Sequence, residues 1–359
     1  MRLTGTRLTE RLGIRTGIIQ APMAGASNPD LVAAVSNAGG LGSLGAAPMP
    51  PEALERAVHA IRQQTDAPFN INLFHHSLEQ FDGSLQPGPA QQALLRKYHD
   101  ELSLDDIPST GTVSGPFSEQ LDVLIAAKVP IISLHFGIEA DDVERIHSAG
   151  LKVLCTATTV QEAWMLDGMG VDVIIAQGAE AGGHRGTFID YDKDSLVGTM
   201  ALVPRVAESV SVPVVAAGGI MDGRGIVAAL ALGAEGAQMG TAFLGCAETG
   251  LPEAWHNKLR ESEGNDTTVT SAVSGKPARG IRNRYINENE ALGEPLLPYP
   301  QQYSLSGKLR KAAAQADNPD FLAMWSGQGV GMIQRGGAGQ LIQRWESGVA
   351  DLLGNADQT

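Results

Sequence analysis

Short apolar runs recur along this chain, each followed by a Gly- or Asn-marked turn and then by an amphipathic stretch, and this rhythm narrows the possible folds more than any other feature. Eight runs occur: Gly17 to Met23, Gly40 to Gly45, Phe69 to Phe74, Ile131 to Gly137, Lys152 to Ala157, Val171 to Gly178, Pro213 to Gly219 and Gly236 to Thr241. Apolar runs of about four to eight residues suit strands buried on both faces, and their alternation with helical stretches makes parallel βα units. Helices are expected at Asn28 to Asn37, Pro51 to Gln64, Ser118 to Lys128, Asp141 to Ala149, Thr159 to Met169, Thr199 to Ser209 and Asp222 to Leu232. Asn28, Ser118 and Thr159 are placed to cap them, and Gly150, Gly170 and Gly233 to end them. Eight such units in 359 residues predict one α/β domain, a (β/α)8 TIM barrel with insertions, because such barrels take roughly 250 residues or more.

Two stretches break the rhythm: residues 75–116 after the third strand, and residues 245–319 after the eighth. The expected organisation is a barrel formed by residues 1–244 and 320–359. The 245–319 insert, rich in Gly, Pro, Asn and charge, then forms irregular or short-helical cover over the barrel mouth. Phe321 to Leu353 supplies a glycine-rich turn and a closing helix.

Charge excludes one class of partner. The formal net charge of −14 repels a phosphate backbone, so nucleic acid is not expected. Cys155 and Cys246, far apart and in apolar surroundings, read as reduced buried thiols. The N-terminal segment lacks a signal-like apolar run, and no segment reaches the roughly 18 apolar residues of a membrane span, which predicts a cytoplasmic protein with no membrane partner.

Unusual polar and glycine residues gather at the C-terminal ends of the expected strands, the face where barrel enzymes work. Ala216-Ala217-Gly218-Gly219-Ile220 and Gln238-Met239-Gly240-Thr241 look like a pair of phosphate-gripping turns, in which glycine lets backbone N–H groups approach an anion. They do not by themselves distinguish a flavin from a phosphosugar. His184 stands in Gly182-Gly183-His184-Arg185-Gly186, where a loop with little bulk leaves it accessible, and an imidazole with an ordinary pKa of about 6.5 suits proton transfer. Arg185 reads equally as an exposed charge or as a partner behind the site. Ala21-Pro22-Met23-Ala24-Gly25 offers a small-residue backbone to a flat ring system. Asn70 and Asn72 share one face of their strand, and buried amides need partners such as a heterocycle. His135, ending the fourth strand, is a second candidate for the same mouth.

These segments resemble a known family. QAPMAG at 20–25, NINLF at 70–74, HFG at 135–137, QGAEAGGHRG at 177–186, AAGGI at 216–220 and QMGTAFL at 238–244 are similar to class I nitronate monooxygenases, also called 2-nitropropane dioxygenases. PYPQQ at 298–302, LRKAA at 309–313 and WSGQ at 325–328 extend the likeness into the C-terminal region. The resemblance implies FMN at the barrel mouth, no metal, and oxidation of anionic alkyl nitronates such as propionate 3-nitronate with O2 to carbonyl compounds and nitrite. It carries FMN contacts to Asn72, Gln177, Gly182, Gly219, Gln238, Met239, Gly240 and Thr241, beside Pro22, Met23, Ala24 and Gly218 from the residue reading. It makes His184 the catalytic histidine and His135, Tyr299, Tyr303 and Lys308 substrate contacts. His184 is then expected to hold the nitronate as imidazolium or as a hydrogen-bond donor, or to act as the base if neutral nitroalkanes are accepted. One departure is visible: Glu139 stands where the family commonly has proline, which leaves the loop after the fourth strand open. The alternatives are an FMN-dependent enoyl-ACP reductase, an NAD(P)H:quinone reductase of the same barrel type, or a non-catalytic phosphate-binding barrel. A monomer or homodimer is expected.

Overall fold

The computed structural model describes residues 1–75, 85–105, 110, 116–189 and 195–356, so residues 76–84, 106–109 and 111–115 of the first insertion lie outside the described residues. Each apolar run contains a strand: β1 (Ile18–Gln20), β2 (Gly42–Gly45), β3 (Phe69–Phe74), β4 (Ile131–His135), β5 (Lys152–Ala157) and β6 (Val173–Gln177). Then come a two-residue strand β7 (Gly183–His184) outside the barrel, and β8 (Val214–Ala217) and β9 (Gly236–Met239) within it. The barrel strands pair in parallel in the order β1, β9, β8, β6, β5, β4, β3, β2. A parallel bridge between Ile19 and Leu41 closes the ring, with Gln20 N–H donating to Leu41 O at 3.0 Å and Leu41 N–H to Ile18 O at 3.0 Å. The fold is a TIM barrel. Several strands end before their apolar runs do, and Ala21, Gly178, Gly218 and Gly240 lie just beyond them.

Helix starts follow local chemistry. Asn28 Oδ1 accepts from Leu31 N–H at 2.9 Å ahead of Pro29, and Thr159 and Glu162 form a reciprocal capping box. Gly150, Gly170 and Gly233 sit at positive φ just past their helices, as the sequence predicts. Ser118 is a correction: it lies inside the helix Phe117–Ala126, which follows Pro116 and starts without a side-chain cap. Glu139 takes an extended conformation, φ −102° and ψ 153°, at the cap position of Ala140–Ser148, with a φ well outside the range near about −65° that proline would impose.

The main core lies between the barrel and its helices, and both cysteines are buried, unbonded thiols in it. A smaller core fills the barrel interior with Ile19, Leu154, Val173, Ile175 and Val215, and the short helix Arg7–Leu12 contributes Leu8 and Leu12 to it. Ile131 and Val173, the first residues of β4 and β6, belong to this cluster, so the helix plugs the N-terminal end of the barrel and leaves the opposite end for chemistry.

The two insertions share a third core. Leu95 and Tyr98 of the helix Pro89–Glu101 pack with Trp255, Leu259, Tyr285, Leu305, Leu309 and Phe321. Arg284 ties them together, pairing with Glu101 at 2.7 Å and Glu288 at 2.8 Å over the rings of Tyr98 and Phe321. The 245–319 segment is more ordered than its composition suggests: it holds the helices Glu253–Glu261, Arg284–Glu290, Gln301–Leu305 and Gly307–Gln315, and the strands β10 (Thr267–Thr270) and β11 (Ala278–Ile281). These strands and β7 form an antiparallel sheet in which Ala278 lies opposite His184. Among the described residues, no helix is long and apolar enough to cross a membrane.

Candidate active site

A cavity opens at the C-terminal ends of the strands, and most of the residues singled out from sequence meet there. Pro22, Met23 and Ala24 line it after β1, Asn72 on β3 and His135 on β4. Gln177, Gly182 and His184 line it after β6, and Gly218, Gly219, Gln238, Gly240 and Thr241 after β8 and β9. Tyr299 and Tyr303 enter from the insert, as does Trp255, which carries no signal in the sequence, and Trp325 of the WSGQ segment joins them from the stretch that follows. Two expected contacts do not join them. Lys308 is exposed on its helix and is not among the lining residues, and the side chain of Met239 is buried in the main core. Asn70 also stays below the cavity, with its amide nitrogen donating to Ser43 Oγ at 3.1 Å and Ser133 Oγ at 2.9 Å.

One wall suits an anion. Gly218 and Gly219 take φ of +118° and +73°, conformations that an L side chain rarely adopts. The amides of Gly218, Gly219, Gly240 and Thr241 meet no acceptor among the described residues. Thr241 Oγ1 accepts from Gly327 N–H at 2.8 Å and draws the WSGQ segment to the same corner. A Cβ on Gly182 would lie 2.6 Å from Gly327 N, so backbone alone fills this crossing. Gln238 Oε1 is buried with no partner among the described residues, an acceptor that a donor on a bound group could satisfy. Glycine-turn amides and an amide oxygen without partners among the described residues, together with the small-residue backbone of Ala21 to Ala24, fit a phosphorylated flat heterocycle such as FMN.

His184 stands opposite, on a strand rather than in a free loop as the glycines suggest. Its carbonyl accepts from Gln177 Nε2 at 3.0 Å and from His135 Nε2 at 3.1 Å, while Arg185 N–H donates to Pro277 O at 2.9 Å. A carbonyl only accepts, so His135 carries its proton on Nε2, and Nδ1 takes a hydrogen bond from Thr156 Oγ1 at 3.2 Å. Both ring nitrogens of His135 are thus spent on the protein, and it acts on His184 rather than on a ligand. Gln177 is likewise a clamp, its Oε1 accepting from Gly186 N–H at 2.8 Å. Arg185 is buried and donates to the carbonyls of Gly178 and Gln177 at 2.6 and 2.9 Å, which settles it as a loop brace.

Aromatic rings enclose the His184 imidazole: Phe74, Phe136, Tyr299 and Trp325 lie 5.6, 6.1, 5.8 and 5.5 Å away between centroids. Lys276 Nζ lies 4.3 Å above the Phe136 ring. Burial, reinforced by His135 and Lys276, pushes the His184 pKa down to about 3, and burial pushes that of His135 down to about 4. His184 is therefore neutral at pH 7 in the free site, which favours the hydrogen-bond donor over the imidazolium of the two alternatives expected from sequence. No group of three His, Cys, Asp or Glu side chains among the described residues is placed to hold a metal ion.

A sequence model of the nitronate monooxygenase family matches residues 5–345. The chain belongs to this family. A probable nitronate monooxygenase of Staphylococcus saprophyticus is 41% identical over 343 residues, covering 94% of this chain and 96% of that one. Among solved structures, a nitroalkane oxidase from Streptomyces ansochromogenes superposes with a TM-score of 0.87 at 36% identity, covering 96% and 98% of the two chains. FabK from Thermotoga maritima gives 0.76 at 31% identity, covering 98% of each. Family and fold together make this nitronate monooxygenase relative an oxidoreductase acting on a small molecule.

Proposed function

We propose that the protein is an FMN-dependent nitronate monooxygenase that oxidises alkyl nitronates with O2 to carbonyl compounds and nitrite. The observation that carries this reading is one cavity joining a set of unpaired glycine-turn amides to a neutral, aromatic-walled histidine. Gly218, Gly219, Gly240 and Thr241 would hold the FMN phosphate, and Pro22 to Ala24, Asn72 and Gln238 the ring system. Bound FMN supplies the electron acceptance and oxygen reactivity that side chains lack.

The chain's own residues do the rest. Phe74, Tyr299 and Trp325 give the His184 side of the cavity an apolar wall, which suits the alkyl chain of a nitronate. Tyr299 and Tyr303 line the cavity, and their hydroxyls would serve as donors to the oxygens of a nitro group. Burial holds the Tyr299 hydroxyl protonated, and so a donor, well above neutral pH. A neutral His184 accepts a proton rather than offering a charge, so it serves as the base toward a neutral nitroalkane. His184→Asn should keep FMN bound, visible as an unchanged flavin spectrum, while nitroethane turnover drops by about 10²- to 10⁴-fold. Undiminished nitroethane turnover in that variant would refute the role.

A further inference from the structure

We propose that Ser274 is a positioning residue that fixes His184 as the Nε2–H tautomer, leaving Nδ1 as the atom that removes the α-proton of a neutral nitroalkane. This deepens the functional reading above and rests on it. Ser274 is fully buried, and its Oγ lies 3.0 Å from His184 Nε2 and 3.0 Å from the carbonyl oxygen of Lys276, with Lys276 N–H donating back at 3.4 Å. A hydroxyl has one proton and two lone pairs. The Lys276 carbonyl can only accept, so the Ser274 proton goes there. The lone pairs then receive Lys276 N–H and His184 Nε2–H, and the hydroxyl is saturated. Among the described residues His184 Nδ1 has no partner, and the ring borders the cavity.

The backbone holds this arrangement in register. Ser274 lies in a tight turn in which Gly275 N–H donates to Ser271 O at 2.8 Å and Gly275 takes φ +82°. A Cβ on Gly275 would fall 2.3 Å from Leu297 O, so the turn requires glycine. The chain then enters β11, whose Ala278 pairs with His184 itself. One hairpin therefore carries both the strand partner of His184 and the hydroxyl on its ring. His135 and Gln177 hold the His184 carbonyl, whereas Ser274 holds the imidazole.

In the step this sets up, the α-C–H bond breaks and the proton passes to Nδ1. The electron pair left on carbon delocalises onto the nitro oxygens, giving the nitronate, and the new imidazolium keeps Nε2–H on Ser274. A preformed nitronate arrives without that proton, so the device bears on neutral substrates far more than on anionic ones.

The test uses the FMN-loaded protein with nitroethane and ethylnitronate as probes, alongside ¹⁵N NMR of histidine-labelled protein, with the His184 signals assigned by their loss in His184→Asn. The expected spectrum shows Nε2 protonated and Nδ1 bare. Ser274→Ala should lower the ratio of nitroethane to ethylnitronate kcat/KM about tenfold, in line with one lost neutral hydrogen bond, and Ser274→Thr should restore it. A wild-type His184 protonated on Nδ1, or an unchanged ratio in Ser274→Ala, overturns the inference, as does a wild-type enzyme that oxidises ethylnitronate but not nitroethane. Absence of nitrite from both substrates instead defeats the functional reading. In that case the NMR tautomer still decides, by itself, whether Ser274 fixes the ring.

Discussion

Desolvation outweighs every other influence on the two histidines at the mouth. An unfolded histidine titrates near pH 6.5, whereas His135 and His184 are pushed down to about 4 and 3 in the fold. As pH falls below about 6.5 the unfolded chain takes up protons that the folded chain refuses. Stability is therefore full above that pH and declines toward pH 4, by about 1.4 kcal/mol per pH unit for each histidine. Melting temperatures of the FMN-loaded protein from pH 7.5 to 4.5 should show this slope, and His135→Asn or His184→Asn should flatten it. An equal slope in both variants would mean that carboxylates, not these imidazoles, govern acid stability. The position of His184 among glycines is visible in the sequence. Its protonation state is not, because Ser274 lies 90 positions away and the walls Phe74, Tyr299 and Trp325 come from three other segments.

The elements that shape the mouth depend on contacts between distant segments. Tyr98 on the first insertion is fully buried, donates to Glu288 at 3.0 Å and meets the Phe321 ring at 4.9 Å. Tyr98→Ala should cost roughly 3–5 kcal/mol, the usual loss for a large buried ring. Hydrogen exchange should then rise in the helices Pro89–Glu101 and Arg284–Glu290 while the barrel strands stay protected. Equal deprotection of β3 to β6 would show that the cap and the barrel unfold as one unit. Barrel strands can be read from sequence because each is an apolar run bounded by turn residues. The strand β7 cannot, because two residues carry no periodicity and its ladder is made with β11, almost a hundred residues on. The shared core of the insertions escapes for the same reason: Leu95 and Tyr98 look like an ordinary helix face until Trp255 and Phe321 are brought against them.

At the scale of the whole molecule, charge and site pull in opposite directions. A net charge of −14 repels an anionic nitronate at long range, while Arg185, Arg279 and Lys276 place positive charge close to the mouth. Salt screens the long-range part first, with a Debye length of about 10 Å at 0.1 M. Raising ionic strength from about 0.01 to 0.1 M should thus increase kcat/KM for ethylnitronate a few-fold and leave that for neutral nitroethane unchanged; a decrease for ethylnitronate would mean that the local cations dominate the approach. The central claim is tested most directly by simultaneous oxygen uptake and nitrite release from the FMN-loaded protein given propionate 3-nitronate, with NADH as a separate control. Rapid oxygen uptake with nitrite, and no NADH consumption, is the predicted result. NADH-driven flavin reduction without nitrite would contradict the account and place this barrel among the reductases.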